Sequence, residues 1–142
     1  MISLDTATKL KTAGLVWAPK LHDFFFIPFQ DLDERVFVVS DMSILLEKMG
    51  SKDAITFNGT AEWAMDYLIV GDAVWVPTEE QLRQELEQRL VARGETQPVM
   101  TLQVTSDGYK CTIQYDGQAV SFEAFGASEA YGAALLHVMG NV

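Results

Sequence analysis

Three observations predict an α+β fold. Beyond Pro98, apolar and polar residues alternate on either side of two turns that contain Asp-Gly, the pattern of antiparallel hairpins. Thr78-Glu79-Glu80-Gln81 opens a charged helix with both halves of a capping box. Ahead of these, Phe24 to Phe29 and Arg35 to Ser40 are apolar on successive residues, as strands covered on both faces are. A chain of 142 residues is the size of one ordinary domain and folds with burial of roughly 68% of its unfolded surface. The expected architecture is a single α+β domain over residues 1–142, with sub-lobes at about 1–93 and 97–142. It has a mixed or antiparallel sheet, a C-terminal three-stranded antiparallel meander and a buried C-terminal helix.

The elements follow in order. Residues 4–13 predict a helix capped by Ser3 or Asp5, with Leu4, Ala7, Leu10 and Ala13 at helical spacing and Gly14 as the stop. Phe24 to Phe29 and Arg35 to Ser40 flank the acidic turn at residues 30–34, and Pro28 points to a free edge or a bulge in the first strand. Met42 to Met49 suits either a short helix capped by Asp41 or a buried strand, with the helix slightly preferred. Ile55 to Asn58 reads as a strand, Asn58-Gly59 as a turn, and Ala61 to Leu68 as a helix with Trp63 and Tyr67 on one face. Ala73 to Val76 is a strand that feeds the capped helix at 79–92.

That helix carries Leu82, Leu86 and Leu90 every four residues, beside the pairs Glu79–Arg83 and Glu85–Arg89. Its narrow apolar stripe is expected to lie on the outside of a sheet or on a second subunit. Met100, Leu102 and Val104, then Tyr109 to Tyr115, then Val120, Phe122 and Ala124 form the meander. The last helix, Glu129 to Met139 from a start at Ser128, is apolar nearly all round and is expected to pack on it.

Charge narrows the partners. The net charge is −10, but hydrophobic residues make up 49% of the chain, so acidity here does not signal disorder. Residues 1–20 hold Lys9, Lys11 and Lys20 against Asp5, whereas residues 21–80 hold twelve acids against Arg35, Lys48 and Lys52. A surface of this sign repels phosphate backbones and anionic lipid, so neither nucleic acid nor membrane is an expected partner. The N-terminal residues lack a secretory pattern, and no run approaches the roughly 20 apolar residues of a membrane span. The single cysteine, Cys111, excludes an internal disulfide and falls on the apolar face of its strand. A reduced cytoplasm is the expected setting.

The chemical motifs are weak. His22-Asp23 is an adjacent His–carboxylate pair, but neighbours on an extended chain face opposite ways, and a solvent-facing strand entry outweighs a general base. His137 has no ligand partner at helical spacing and reads as a core or rim histidine. Counting from Asp31, the calcium-loop positions for glycine and glutamate hold Val36 and Met42, so that motif fails. Arg83 to Glu87 is faintly similar to the acidic helix of Nudix hydrolases but lacks its adjacent Arg-Glu and Glu-Glu steps. The order α-β-β-β-α matches double-stranded RNA-binding domains, yet the last helix opens with Ser128-Glu129-Ala130 where lysines would be needed.

Ala13-Gly14-Leu15 with Trp17 and Pro19, Arg35 to Met42, Gly59 to Ala64 and Trp75 to Glu79 together resemble a group of small bacterial proteins of about 140 residues. Most members lack an assigned function, and some carry the label "pilus assembly protein". The resemblance covers the whole chain. The ATPase of that name is a P-loop protein; this chain has no Gly-rich Lys-Ser/Thr loop, so no catalytic residues carry over.

The leading expectation is a cytoplasmic binding or accessory protein without catalytic activity, cofactor or metal, working as a homodimer or with a protein partner. The homodimer rests on the leucine seam and on the apolar residues 129–139. The alternative is a small-molecule-binding or hydrolytic protein with a pocket lined by aromatics such as Trp17, Trp63, Tyr67 and Trp75. The residues assigned to ligand binding are His22, Asp23, Glu62, Trp63 and Trp75.

Overall fold

A computed structural model describes residues 1–28, 35–40, 44–49, 51–57, 67–94 and 99–140. Ser3 starts helix α1 (Leu4–Thr12): its side chain accepts the Thr6 N–H, and Asp5 and Lys9 pair at 3.0 Å one turn apart. Gly14, at φ +109°, ends the helix. The Leu15 N–H returns to the Leu10 carbonyl and the Gly14 N–H to that of Lys11, the bonding of a Schellman stop.

The chain divides into two compact units, residues 16–76 and residues 1–15 with 77–142. This replaces the boundary near residues 93–97 expected from the sequence. The reason is packing: α2 (Glu79–Ala92) and α1 bury their apolar faces with the C-terminal helix α3 (Ala127–Val138) and so belong to the meander unit.

In the first unit, β1 (Phe24–Phe26) is the centre of a three-stranded antiparallel sheet, between β2 (Val36–Val38) and β6 (Val74–Val76). Both early strands are shorter than expected. Pro28 lies beyond β1 rather than marking an edge within it, because the strand has already ended where a missing N–H would break the ladder. Its doubly covered character holds for β1, where Phe25 and Phe26 are buried, but not for β2, an edge strand with Val36 and Val38 each 38% exposed.

The second sheet of this unit joins β3 (Ile44–Met49), β4 (Lys52–Phe57) and β5 (Tyr67–Ile69). Of the helix preferred for residues 42–49, the described part, Ile44–Met49, is a strand paired antiparallel with β4 from Ile44 opposite Phe57 to Met49 opposite Lys52, and residues 42 and 43 lie outside the described residues. The end of the helix expected at 61–68 is likewise strand, and residues 58–66 lie outside the described residues. A 3-10 turn at Val70–Asp72 leads into β6.

In the meander unit, the capping box at α2 is complete: the Gln81 N–H donates to Thr78 Oγ1 at 3.2 Å, and the Thr78 N–H donates to Gln81 Oε1 at 2.9 Å. Leu82, Leu86 and Leu90 are all fully buried. They face α3 rather than the outside of a sheet, and Ala130, Tyr131, Ala134, Leu135 and Val138 of α3 are buried as well. Arg83 pairs with Glu87 at 3.9 Å and Arg89 with Glu85 at 3.7 Å. At the end of α2, Arg93 stacks 4.7 Å over the Tyr115 ring and lies 3.9 Å from Asp116.

The meander forms as expected from β7 (Met100–Thr105), β8 (Gly108–Tyr115) and β9 (Gln118–Ala124). Asp116 (φ +53°) and Gly117 (φ +78°) form the two-residue turn, the backbone a type I′ hairpin needs. Register puts Met100, Leu102, Val104, Tyr109, Cys111, Ile113, Tyr115, Val120, Phe122 and Ala124 on one face, and α3 packs against β8 and β9. The α3 cap is Gly126 rather than Ser128, which is buried in the first turn. Gly132 brings α1 close: a Cβ there would stand 3.2 Å from Thr6 Cγ2. Among the described residues no helix is long and apolar enough to cross a membrane.

Candidate functional site

His22 and Asp23 do not form a dyad. The Lys20–Asp23 turn puts His22 at φ +73° with its side chain exposed, while Asp23 is 4% exposed. The Asp23 carboxylate accepts the Trp17 indole N–H at 2.9 Å and the Lys20 backbone N–H at 3.0 Å, both on Oδ2. Backbone bonds from the His22 N–H to the Val39 carbonyl and from the Val39 N–H to the Asp23 carbonyl extend the β1–β2 ladder through this turn. Asp23 therefore acts as a buried pin for the turn and for Trp17.

Trp17 in turn stacks on Phe25 at 5.4 Å, and Phe25 on Phe37 at 5.6 Å. Register places Trp75 on the same sheet face, opposite Phe25. Trp17 and Phe37 pack against the core cluster of Phe25, Ile27, Val39 and Ala73. The Trp75 indole nitrogen is buried without a hydrogen-bond partner among the described residues. Glu62 and Trp63, the other two assigned residues, lie outside the described residues, and Tyr67 begins β5.

The remaining chemical groups of the meander unit are internal. Burial pushes the Cys111 thiol up to about 11, so it stays protonated and inert at neutral pH. Burial first, then the neighbouring Cys111, raises the Tyr131 phenol. The His137 ring sits 5.3 Å from both Tyr115 and Phe122, the rim position expected for it. Among the described residues no three of His, Cys, Asp and Glu cluster as metal ligands.

A cleft of about 550 Å³ opens at the β7–β8 end of the meander. Tyr109, Ala124 and Phe125 supply its apolar lining, and Asp107, Glu123 and Glu129 its carboxylates. It exists because α3 covers the sheet only as far as the rows of Cys111 and Ile113, which are fully buried. In the next row, Val104, Tyr109 and Ala124 stand side by side, and Val104 is 74% exposed. Phe125, beside them, is 90% exposed.

Gly108 sets the cleft wall. A Cβ at this position would fall 2.3 Å from the Ala124 carbonyl oxygen, so only glycine lets the hairpin end approach β9 this closely. Glu129 is already engaged: one carboxylate oxygen accepts the Ser3 N–H and the other the Thr6 hydroxyl at 2.8 Å, which ties α1 to α3. Asp107 and Glu123 make no ion pair among the described residues; Lys110 stands opposite Glu123 in register without closing one. None of these cleft residues is among those assigned from sequence. The available signal was phase: Val120, Phe122 and Ala124 alternate, and Phe125 breaks the alternation with a large apolar side chain on the wrong beat.

Compared with family models, curated proteins and solved structures, the chain matches none.

Proposed function

We propose that the protein is a cytoplasmic binding or accessory protein that works by recognising a protein partner rather than by catalysis. The observation that carries this reading is the cleft at the end of the meander, where exposed Phe125 and half-buried Tyr109 stand beside the carboxylates of Asp107 and Glu123, which make no ion pair among the described residues. Exposed aromatics beside fixed charges are the usual material of an interface. The accessory role agrees with the resemblance to small bacterial proteins, some of them labelled for pilus assembly. Nucleic acid and anionic membrane are excluded from the proposal, because a net charge of −10 opposes both.

The test is to place a photo-crosslinking residue at Tyr109, identify the captured protein, purify it and titrate it calorimetrically. A saturable complex of fixed stoichiometry supports the reading. Turnover of a small molecule by the purified chain, with no such complex, overturns it.

A second reading, a small-molecule site on the aromatic sheet, is favoured by one feature: the buried Trp75 indole N–H has no acceptor among the described residues. Without a ligand, Trp75→Phe removes an unsatisfied donor and some apolar area, effects that offset to within about 1 kcal/mol. A small molecule that protects wild type against melting, and not this variant, would establish the second reading, including its hydrolytic form if the molecule is cleaved.

A further inference from the structure

We propose that the open end of the meander docks a basic, apolar peptide segment of a partner protein, with Phe125 as the anchor and Asp107 and Glu123 as counter-charges. This names the partner chemistry for the cleft on which the binding reading rests.

The charge on the cleft is of one sign. The ionised side chains that line it among the described residues are Asp107, Glu123 and Glu129, with no Lys or Arg among the lining residues. Glu129 spends both oxygens on Ser3 and Thr6, so Asp107 and Glu123 are left to meet a partner's cations. Carboxylates beside an aromatic face suit lysine or arginine twice over, through ion pairing and through the ring quadrupole of Tyr109 or Phe125.

The apolar half of the match comes from the row Val104, Tyr109 and Ala124 with Phe125 next to it. A phenylalanine 90% exposed does not wall a closed pocket. Small-molecule sites bury most of their ligand, whereas a projecting aromatic is the anchor of a protein interface. The elements that hold the site are stiff: paired strands with Gly108 packed against the Ala124 carbonyl, followed by the α3 cap at Gly126. A site built on such elements loses little entropy on binding.

The experiment titrates the full chain into a dye-labelled decapeptide that alternates lysine with leucine and tryptophan, read by fluorescence anisotropy. The same titration is run with the peptide in which glutamate replaces lysine. The expected result is saturable binding of the lysine peptide alone, weakened about tenfold or more by Phe125→Ser and, separately, by the double variant D107N/E123Q. Both variants should keep the wild-type melting temperature, since these side chains hold nothing inside the fold.

Equal binding of the glutamate peptide, or wild-type affinity in both variants, overturns the proposal. So does displacement of the peptide by tetramethylammonium at stoichiometric levels, which would make the cleft a small-cation site. A concentration-dependent dimer abolished by Phe125→Ser would give the surface to a second copy of this chain and overturn it as well. Detection of catalytic turnover would defeat the broader binding reading while leaving the peptide result legible on its own.

Discussion

Two regions of the molecule combine aromatic rings with carboxylates, and they use them in opposite ways. In the unit formed by residues 16–76, Asp23 lies beside Trp17, and its Oδ2 accepts both the indole N–H and the Lys20 backbone N–H. In the meander unit, Asp107 and Glu123 lie beside Tyr109 and Phe125 with no ion pair among the described residues. The difference teaches that residue type does not make a site. An acid near an aromatic is a structural pin when its hydrogen bonds are spent within the fold, and is free to serve the proposed recognition when they are left over.

The strongest way to break this comparison is Asp23→Ala. It removes a buried carboxylate and leaves two part-buried donors without their acceptor, which should destabilise the chain by about 3 kcal/mol, measured by denaturant unfolding. A loss below about 0.5 kcal/mol would mean that Asp23 is not a pin. Next comes Glu129→Ala, which removes the acceptor shared by Ser3 and Thr6 and should cost about 1–2 kcal/mol. Hydrogen exchange should rise first in α1, because that carboxylate links it to α3.

Cys111 sharpens the comparison through pH. Its folded thiol lies at about 11, above its ordinary value, so the folded chain keeps a proton that the unfolded chain releases. The stability associated with this proton is complete below the unfolded value near 9.0 and is lost as pH rises to about 11. Melting temperatures across that window should fall less steeply in Cys111→Ala than in wild type. Alkylation of the native chain at pH 8 should be slow and become fast on denaturation. The smallest effect belongs to His22→Ala: its side chain is exposed, so stability should change by less than about 0.5 kcal/mol.

The parts of the fold legible in the sequence are those specified locally. Thr78 and Gln81 close their capping box within one turn, and Asp116-Gly117 supplies the two positive φ values its hairpin needs. The strand at Ile44–Met49 was not legible, because ILLEKM has neither alternation nor β-branched density, and its pairing with Lys52–Phe57 decides its conformation. The unit boundary was hidden for a similar reason. Nothing within Leu82, Leu86 and Leu90 says whether they meet a sheet, a second copy or a helix more than forty residues on, and they meet α3.

The site was still less legible. His22-Asp23 drew attention because the two residues are adjacent, whereas Val104, Tyr109 and Ala124 meet only through strand register. Phe125 lies just past β9, out of phase with Ala124 and ahead of the α3 cap at Gly126, and is 90% exposed there. Both facts belong to tertiary structure. The out-of-phase apolar residue at the strand end was the one trace they left in the sequence.

The central claim, that recognition takes place at the meander's open end while the Asp23 turn is structural, is tested most directly by following the ¹⁵N-labelled chain during titration with the lysine-rich peptide. Large shifts are expected for the amides of Tyr109, Glu123 and Phe125, with a stationary Trp17 indole N–H held by Asp23 throughout. A moving Trp17 indole with silent Tyr109 and Phe125 amides would contradict it.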